Sequence, residues 1–285
     1  MSIRQKAGLS RSLSGNILMG LFLLLAGVFT AIPLVYVFVN AFKPINELFV
    51  FPPRLYVINP TLENFRALSD ISGDMLMPFE RYIFNSVFVS VAGTAVYIFL
   101  SSFAAYPLAK HKFPGKVFLL QIIIWAMLFR PEATAIPQFF LIAKLNMVDT
   151  YYALVFPTLA GSFGIFLMRQ FIIGIPDDIL EAARIDGLGE IGIYARIVMP
   201  VIKPAWITLM IFTFQALWNN TGVQYIYTEN LKMLPTALQQ LSTAGLSRAG
   251  VGSAVALLLL LPPVTIFVFC QRAVLETMAH SGIKS

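Results

Sequence analysis

The chain has 285 residues, 58% hydrophobic and 12% charged, with a formal net charge of +6 and a mean hydropathy of +0.78. Soluble domains carry roughly 25% charged residues, so this composition excludes a water-soluble globular enzyme and defines a polytopic membrane protein. The basic residues flank apolar segments instead of forming a patch, which argues for topology and against nucleic acid. Cys270 is the single cysteine, and His111 and His280 fall in separate polar segments. Neither a disulfide framework nor a metal cluster is therefore expected.

Arg4, Lys6 and Arg11 precede an apolar run from Ile17 to about Phe42. That run exceeds the roughly 7–15 residues of a secretory signal core, so a retained first span is expected. Further apolar segments lie at about 83–108, 117–143, 151–173, 198–218 and 251–275. Each can supply the roughly 20 residues of a membrane-crossing helix. The prediction is an all-α membrane protein of six transmembrane helices, with tails at 1–16 and 276–285. The third segment is the least regular, because Arg130, Pro131 and Glu132 interrupt it. Such residues at membrane depth need protein or water around them.

Twelve of the 20 lysines and arginines fall on the N-terminal side of the bilayer in this scheme. The positive-inside bias then predicts that both termini are cytoplasmic, in a prokaryotic cell membrane. The outer segment 43–81 is long and carries Pro52, Pro53 and Pro60. The chain contains no Gly-x-x-x-x-Gly-Lys-Ser/Thr phosphate loop, so it is not expected to hydrolyse ATP.

Between spans four and five, the inner loop 174–197 is strongly polar. Pro176 suits a helix start, and Asp177 and Asp178 complement the helix dipole there. The helix can run to Asp186, with the small Ala182 and Ala183 permitting close approach by another surface. Gly187 supplies the left-handed residue that ends it. A second helical stretch follows, and Pro200 and Pro204 mark the start of span five. An element this short should dock into a partner's groove.

Glu181-Ala182-Ala183, Asp186-Gly187, and then Ile197 and Pro200 resemble the EAA loop of binding-protein-dependent (MetI-like) ABC importer permeases. Met199 departs from the pattern, where leucine is commoner. Asn85-Ser86, Ala105 to Lys110, Phe113 to Lys116, Ile136-Pro137, Leu145 to Tyr151, Trp218-Asn219 and the closing Ser281 to Lys284 are similar to the carbohydrate-uptake branch, in particular its maltose-type subunit. The resemblance implies a coupling helix in which Glu181, Ala182, Ala183, Asp186 and Gly187 meet the ATP-binding subunit. It also implies four partners: a second, different permease chain, a dimer of ATP-binding subunits, an extracytoplasmic solute-binding protein and a saccharide. No cofactor is expected in this chain, with ATP and Mg residing on the partner ATPase.

A sugar has polar edges and apolar faces, so its path should mix rings with amides and hydroxyls. The candidates are Arg130, Glu132 and Gln138 in the third span, and Trp218, Asn219, Asn220 and Tyr225 at the end of the fifth, with Thr221, Gln224 and Tyr227 nearby. Interfacial aromatic belts use the same residue types. The alternative functions are a permease of the same superfamily for a non-sugar solute, a secondary transporter and a membrane enzyme. The internal repeats of a secondary transporter and the acid–base cluster of an enzyme are not visible.

Overall fold

The computed structural model describes residues 13–71, 77–243 and 248–282. The expected N-terminal tail up to residue 12 and the end of the C-terminal tail from 283 lie outside the described residues. All regular elements among those residues are helical. In chain order they are α1 (Leu13–Ala41), α2 (Ile45–Leu48), α3 (Glu63–Ile71), α4 (Phe79–Lys110), α5 (Lys116–Ala126), α6 (Pro131–Lys144), α7 (Tyr151–Leu159) and α8 (Ser162–Ile173). There follow α9 (Asp177–Ile185), α10 (Glu190–Ile193), a π-type turn (Tyr194–Val198), α11 (Met199–Val201), α12 (Lys203–Trp218), a 3₁₀ turn (Glu229–Leu231), α13 (Leu234–Thr243) and α14 (Ala249–Gly282).

Among the described residues, three helices are long and apolar enough to cross a membrane: 15–41, 79–110 and 249–272. Two bent pairs meet the same test together, α7 with α8 at 43° and α10–α11 with α12 at 77°. The expected third span is two short helices, α5 and α6. Its break follows from Pro131, which stands at the first position of α6 and holds Arg130 in extended backbone (ψ 146°). The fifth expected segment also begins later than predicted. Residues 198–201 belong to the second helix of the polar loop, and α12 starts at Lys203, with Pro204 in its first turn.

The helices are apolar where no protein covers them. Leu21, Phe22, Leu23, Leu24 and Leu25 of α1 are all more than half exposed, and five consecutive residues reach every side of a helix. A helix that is apolar all round requires an apolar solvent. Where helices meet, small residues set the spacing, as expected when packing drives association in lipid. A methyl added at Gly93 of α4 would lie 2.7 Å from Leu217 Cδ1 of α12. The break between α7 and α8 has its own remedy. The Tyr97 hydroxyl donates to the Gly161 carbonyl (2.8 Å) and accepts from the Gly164 amide (2.9 Å). Backbone freed by a kink is thus satisfied by a side chain of α4.

Candidate functional site

The predicted helix of the polar loop is α9. Pro176 precedes it in extended backbone, Asp177 and Asp178 occupy its first turn, and Arg184 its last. Gly187 has φ +86°. The Leu188 amide donates to the Ala183 carbonyl and the Gly187 amide to that of Arg184, both at 3.0 Å. This is the Schellman pattern that a glycine at the left-handed position permits. Leu188 packs onto the same apolar cluster that buries Leu180 and Ala183 against α4, α8 and α12.

Both ends of α9 are tied to one helix, α4. At its start, Lys110 Nζ lies 2.7 Å from Asp177 Oδ1 and also donates to the Ile175 carbonyl. At its end, Arg184 Nε donates to Glu190 (2.9 Å), which accepts from the Tyr106 hydroxyl (2.8 Å) and lies 3.4 Å from His111 Nε2. The Tyr106 hydrogen bond and the Arg184 guanidinium hold the Glu190 carboxyl below its ordinary value. Lys110 does the same for Asp177.

These ties divide the five predicted coupling residues. Glu181, Ala182, Asp186 and Gly187 are exposed, whereas Ala183 turns inward and is only 6% exposed. The outward face adds two isoleucines, Ile179 at 48% and Ile185 at 86% exposure. Helical spacing dictates this split, since Leu180 and Ala183 stand three apart on the inner stripe.

The opposite end of α4 grips a second loop, between α12 and α13. Asn85, fully buried, donates to the carbonyls of Asn230 (2.9 Å) and Lys232 (2.8 Å) and accepts from the Tyr151 hydroxyl (2.7 Å). Ser86 Oγ accepts from the Leu234 amide at 2.8 Å. Tyr82 donates to Glu229, which also binds Lys232 (2.5 Å) and Gln240 (3.0 Å). Across this loop Asp149, held at φ +61°, accepts from the amides of Tyr227 (3.0 Å) and Thr228 (2.9 Å).

The substrate-path candidates separate here. Trp218 is 2% exposed, stacks on Phe214 (centroids 5.6 Å apart) and donates to the Leu259 carbonyl at 2.8 Å. It is a packing residue between α12 and α14. Tyr225 is also interior, and its hydroxyl meets Gln138 Oε1 at 3.3 Å, so these two do come together. Asn220 Oδ1 caps the Gly222 amide (2.9 Å), while Asn219 is exposed. Arg130 and Glu132 are exposed at the start of α6, about 9 Å of helix rise before Gln138.

Sequence reasoning missed a pocket of about 390 Å³ between this loop and α13. Its walls are Val223, Ile226, Tyr227, Lys232, Thr236, Gln239 and Gln240. The amides of Gln239 and Gln240 sit on an ordinary amphipathic helix, and no local pattern sets them apart.

A bundle of apolar, partly broken helices that carries a docked polar helix at one end defines a membrane permease. The chain belongs to the family described as binding-protein-dependent transport system inner membrane component, whose sequence model matches residues 7–279. It is 31% identical over 215 residues to the polygalacturonan/rhamnogalacturonan transport system permease protein YtcP of Bacillus subtilis, covering 75% of this chain and 72% of that protein. It is 27% identical over 271 residues to the arabinooligosaccharides transport system permease protein AraQ of the same organism, covering 94% of this chain and 96% of that one. Its fold is similar to a chain of a bacterial ABC transporter involved in the import of the acidic polysaccharide alginate. That match has a TM-score of 0.79 at 22% identity and covers 92% of this chain and 98% of that one.

Proposed function

We propose that this chain forms half of the translocation pathway of an ATP-driven saccharide importer. A second permease subunit completes the pathway, an extracytoplasmic binding protein delivers the sugar, and a separate dimer of subunits binds ATP and Mg. The observation that carries this reading is α9, fixed at both ends to α4 with Glu181, Ala182, Asp186, Gly187, Ile179 and Ile185 facing outward. Exposed isoleucines on a short charged helix form a docking face. In this reading the α9 end and both termini are cytoplasmic, and the loop around Glu229 is extracytoplasmic. The saccharide class is supported by the substrates of the polygalacturonan/rhamnogalacturonan and arabinooligosaccharide relatives.

ATP binds more tightly to the closed ATPase dimer than to the open one, and that difference is the free energy available to shift the spans. Closure draws the docked α9 helices of the two permeases together. Because α9 is fastened to α4 directly at Asp177 and, from Arg184, through Glu190 to Tyr106, its displacement moves α4 as a unit. Hydrolysis removes the bias and resets the pathway.

The test is uptake by proteoliposomes holding the complete transporter and its binding protein. ATP inside should drive accumulation of a labelled oligosaccharide, and Glu181→Lys should abolish it while leaving membrane insertion intact. Undiminished uptake by that variant would overturn the coupling role of α9. Failure of any saccharide to enter on ATP would overturn the substrate class.

A further inference from the structure

We propose that the pocket between the α12–α13 loop and α13 is a subsite for one uncharged sugar unit, an inference that rests on the saccharide reading above. At about 390 Å³ it falls at the small end of ligand pockets, which span roughly 300–1,000 Å³. Its lining has the two surfaces a pyranose or furanose needs. Val223, Ile226 and the Tyr227 ring supply apolar area, and Thr236, Gln239, Gln240 and Lys232 supply polar atoms.

The polar wall is braced. Thr236 Oγ1 donates to the Thr221 carbonyl (2.8 Å), and Gln240 Nε2 to Glu229 (3.0 Å). The far side of this brace is α4, through Tyr82 on Glu229 and Asn85 on the Lys232 carbonyl. A wall held this way keeps its geometry without a ligand, which reduces the ordering cost of binding.

Charge decides which sugar. Lys232 is the one cation in the lining, and its ammonium is already matched by Glu229 at 2.5 Å. Burial pushes the Glu229 carboxyl up, but hydrogen bonds from Lys232, Tyr82 and Gln240 outweigh it and keep Glu229 below its ordinary value. Glu229 is therefore ionised at neutral pH and the pair carries no net charge. A uronate carboxylate would have to compete with Glu229 for Lys232 and then lie beside a like charge. The pocket thus favours an uncharged unit, although the alginate importer that shares the fold handles an acidic polysaccharide.

The experiment uses the assembled importer in lipid nanodiscs without its binding protein, probed by saturation-transfer NMR with arabinotriose, maltotriose and trigalacturonate. An uncharged trisaccharide should bind, and trigalacturonate should not. Tyr227→Ala and Gln239→Ala, both at exposed positions, should each weaken the uncharged ligand by about tenfold. Glu229→Gln leaves Lys232 without its counter-charge and should admit trigalacturonate.

Three results would overturn the inference: no binding of either uncharged sugar, equal binding by the Tyr227 and Gln239 variants, or preference of the unchanged protein for trigalacturonate. Loss of binding-protein cross-linking in these variants, with sugar contact unchanged, would make the pocket a protein-docking face and also overturn it. ATP-driven uptake with the binding protein present separates the two levels. Uptake of a saccharide without binding in the pocket removes this subsite alone, whereas absence of any saccharide uptake removes the function beneath it.

Discussion

Gly187 shows how much one backbone position fixes in this molecule. Its φ of +86° lies in the left-handed region, yet nothing stands within 4 Å of where a Cβ would go. Any cost of Gly187→Ala is therefore conformational and not steric, roughly 1 kcal/mol. The amides of Gly187 and Leu188 close α9 only when that conformation is held. Amide exchange at Leu188 should accelerate about fivefold in Gly187→Ala and less in Gly187→Asn, since asparagine tolerates the left-handed region better. Equal exchange in all three proteins would show that the turn does not depend on the glycine. This turn was readable from the sequence, because a helix-length run ending in Asp-Gly has few other solutions.

At the scale of the element, α9 is held by charges that can be titrated. Glu190 is kept below its ordinary 4.5, first by the Tyr106 hydrogen bond and then by Arg184. Asp177 is kept below its ordinary 3.8 by Lys110. A carboxylate with a depressed folded value stabilises the docked state fully above its ordinary value, and that stabilisation is lost as pH falls through the folded value. A spin label at residue 182, with Cys270→Ser as background, should stay restrained at neutral pH and gain mobility once pH falls below 4.5. Glu190→Gln should remove the share of that transition that Glu190 contributes. A label already mobile at pH 7, or unchanged at pH 3, would deny that these ion pairs hold α9. The element itself was legible as a helix, a turn and a helix. Its inner face was less so, since Ala182 and Ala183 look alike in sequence and only the packing of Leu180 and Ala183 on α4, α8 and α12 tells them apart.

Across the whole molecule, α4 joins both candidate regions. It runs unbroken for 32 residues, about 48 Å at 1.5 Å per residue. One end holds α9 through Lys110 and Tyr106, and the other holds the pocket loop through Tyr82, Asn85 and Ser86. Apolar run lengths were enough to place the membrane-crossing class and most segments. They did not show the break at Pro131 as two helices, nor the 77° bend before α12, because proline can either kink a helix or start a new one. Trp218 drew notice as an aromatic beside amides, but the Leu259 carbonyl that claims its indole lies 41 residues away. The pocket was hidden for the same reason, since Glu229, Lys232 and Gln240 become one network only when α13 folds back on α4.

The claim on which the rest depends is that the α9 face meets the ATP-binding subunit on the cytoplasmic side. Photo-cross-linking in cells tests it most directly, with p-benzoylphenylalanine placed at 182 on α9 or at 223 on the pocket loop, both exposed positions. Position 182 should capture the ATP-binding subunit and position 223 should not. Capture of that subunit from 223, or none from 182 while the transporter remains active, would contradict the account.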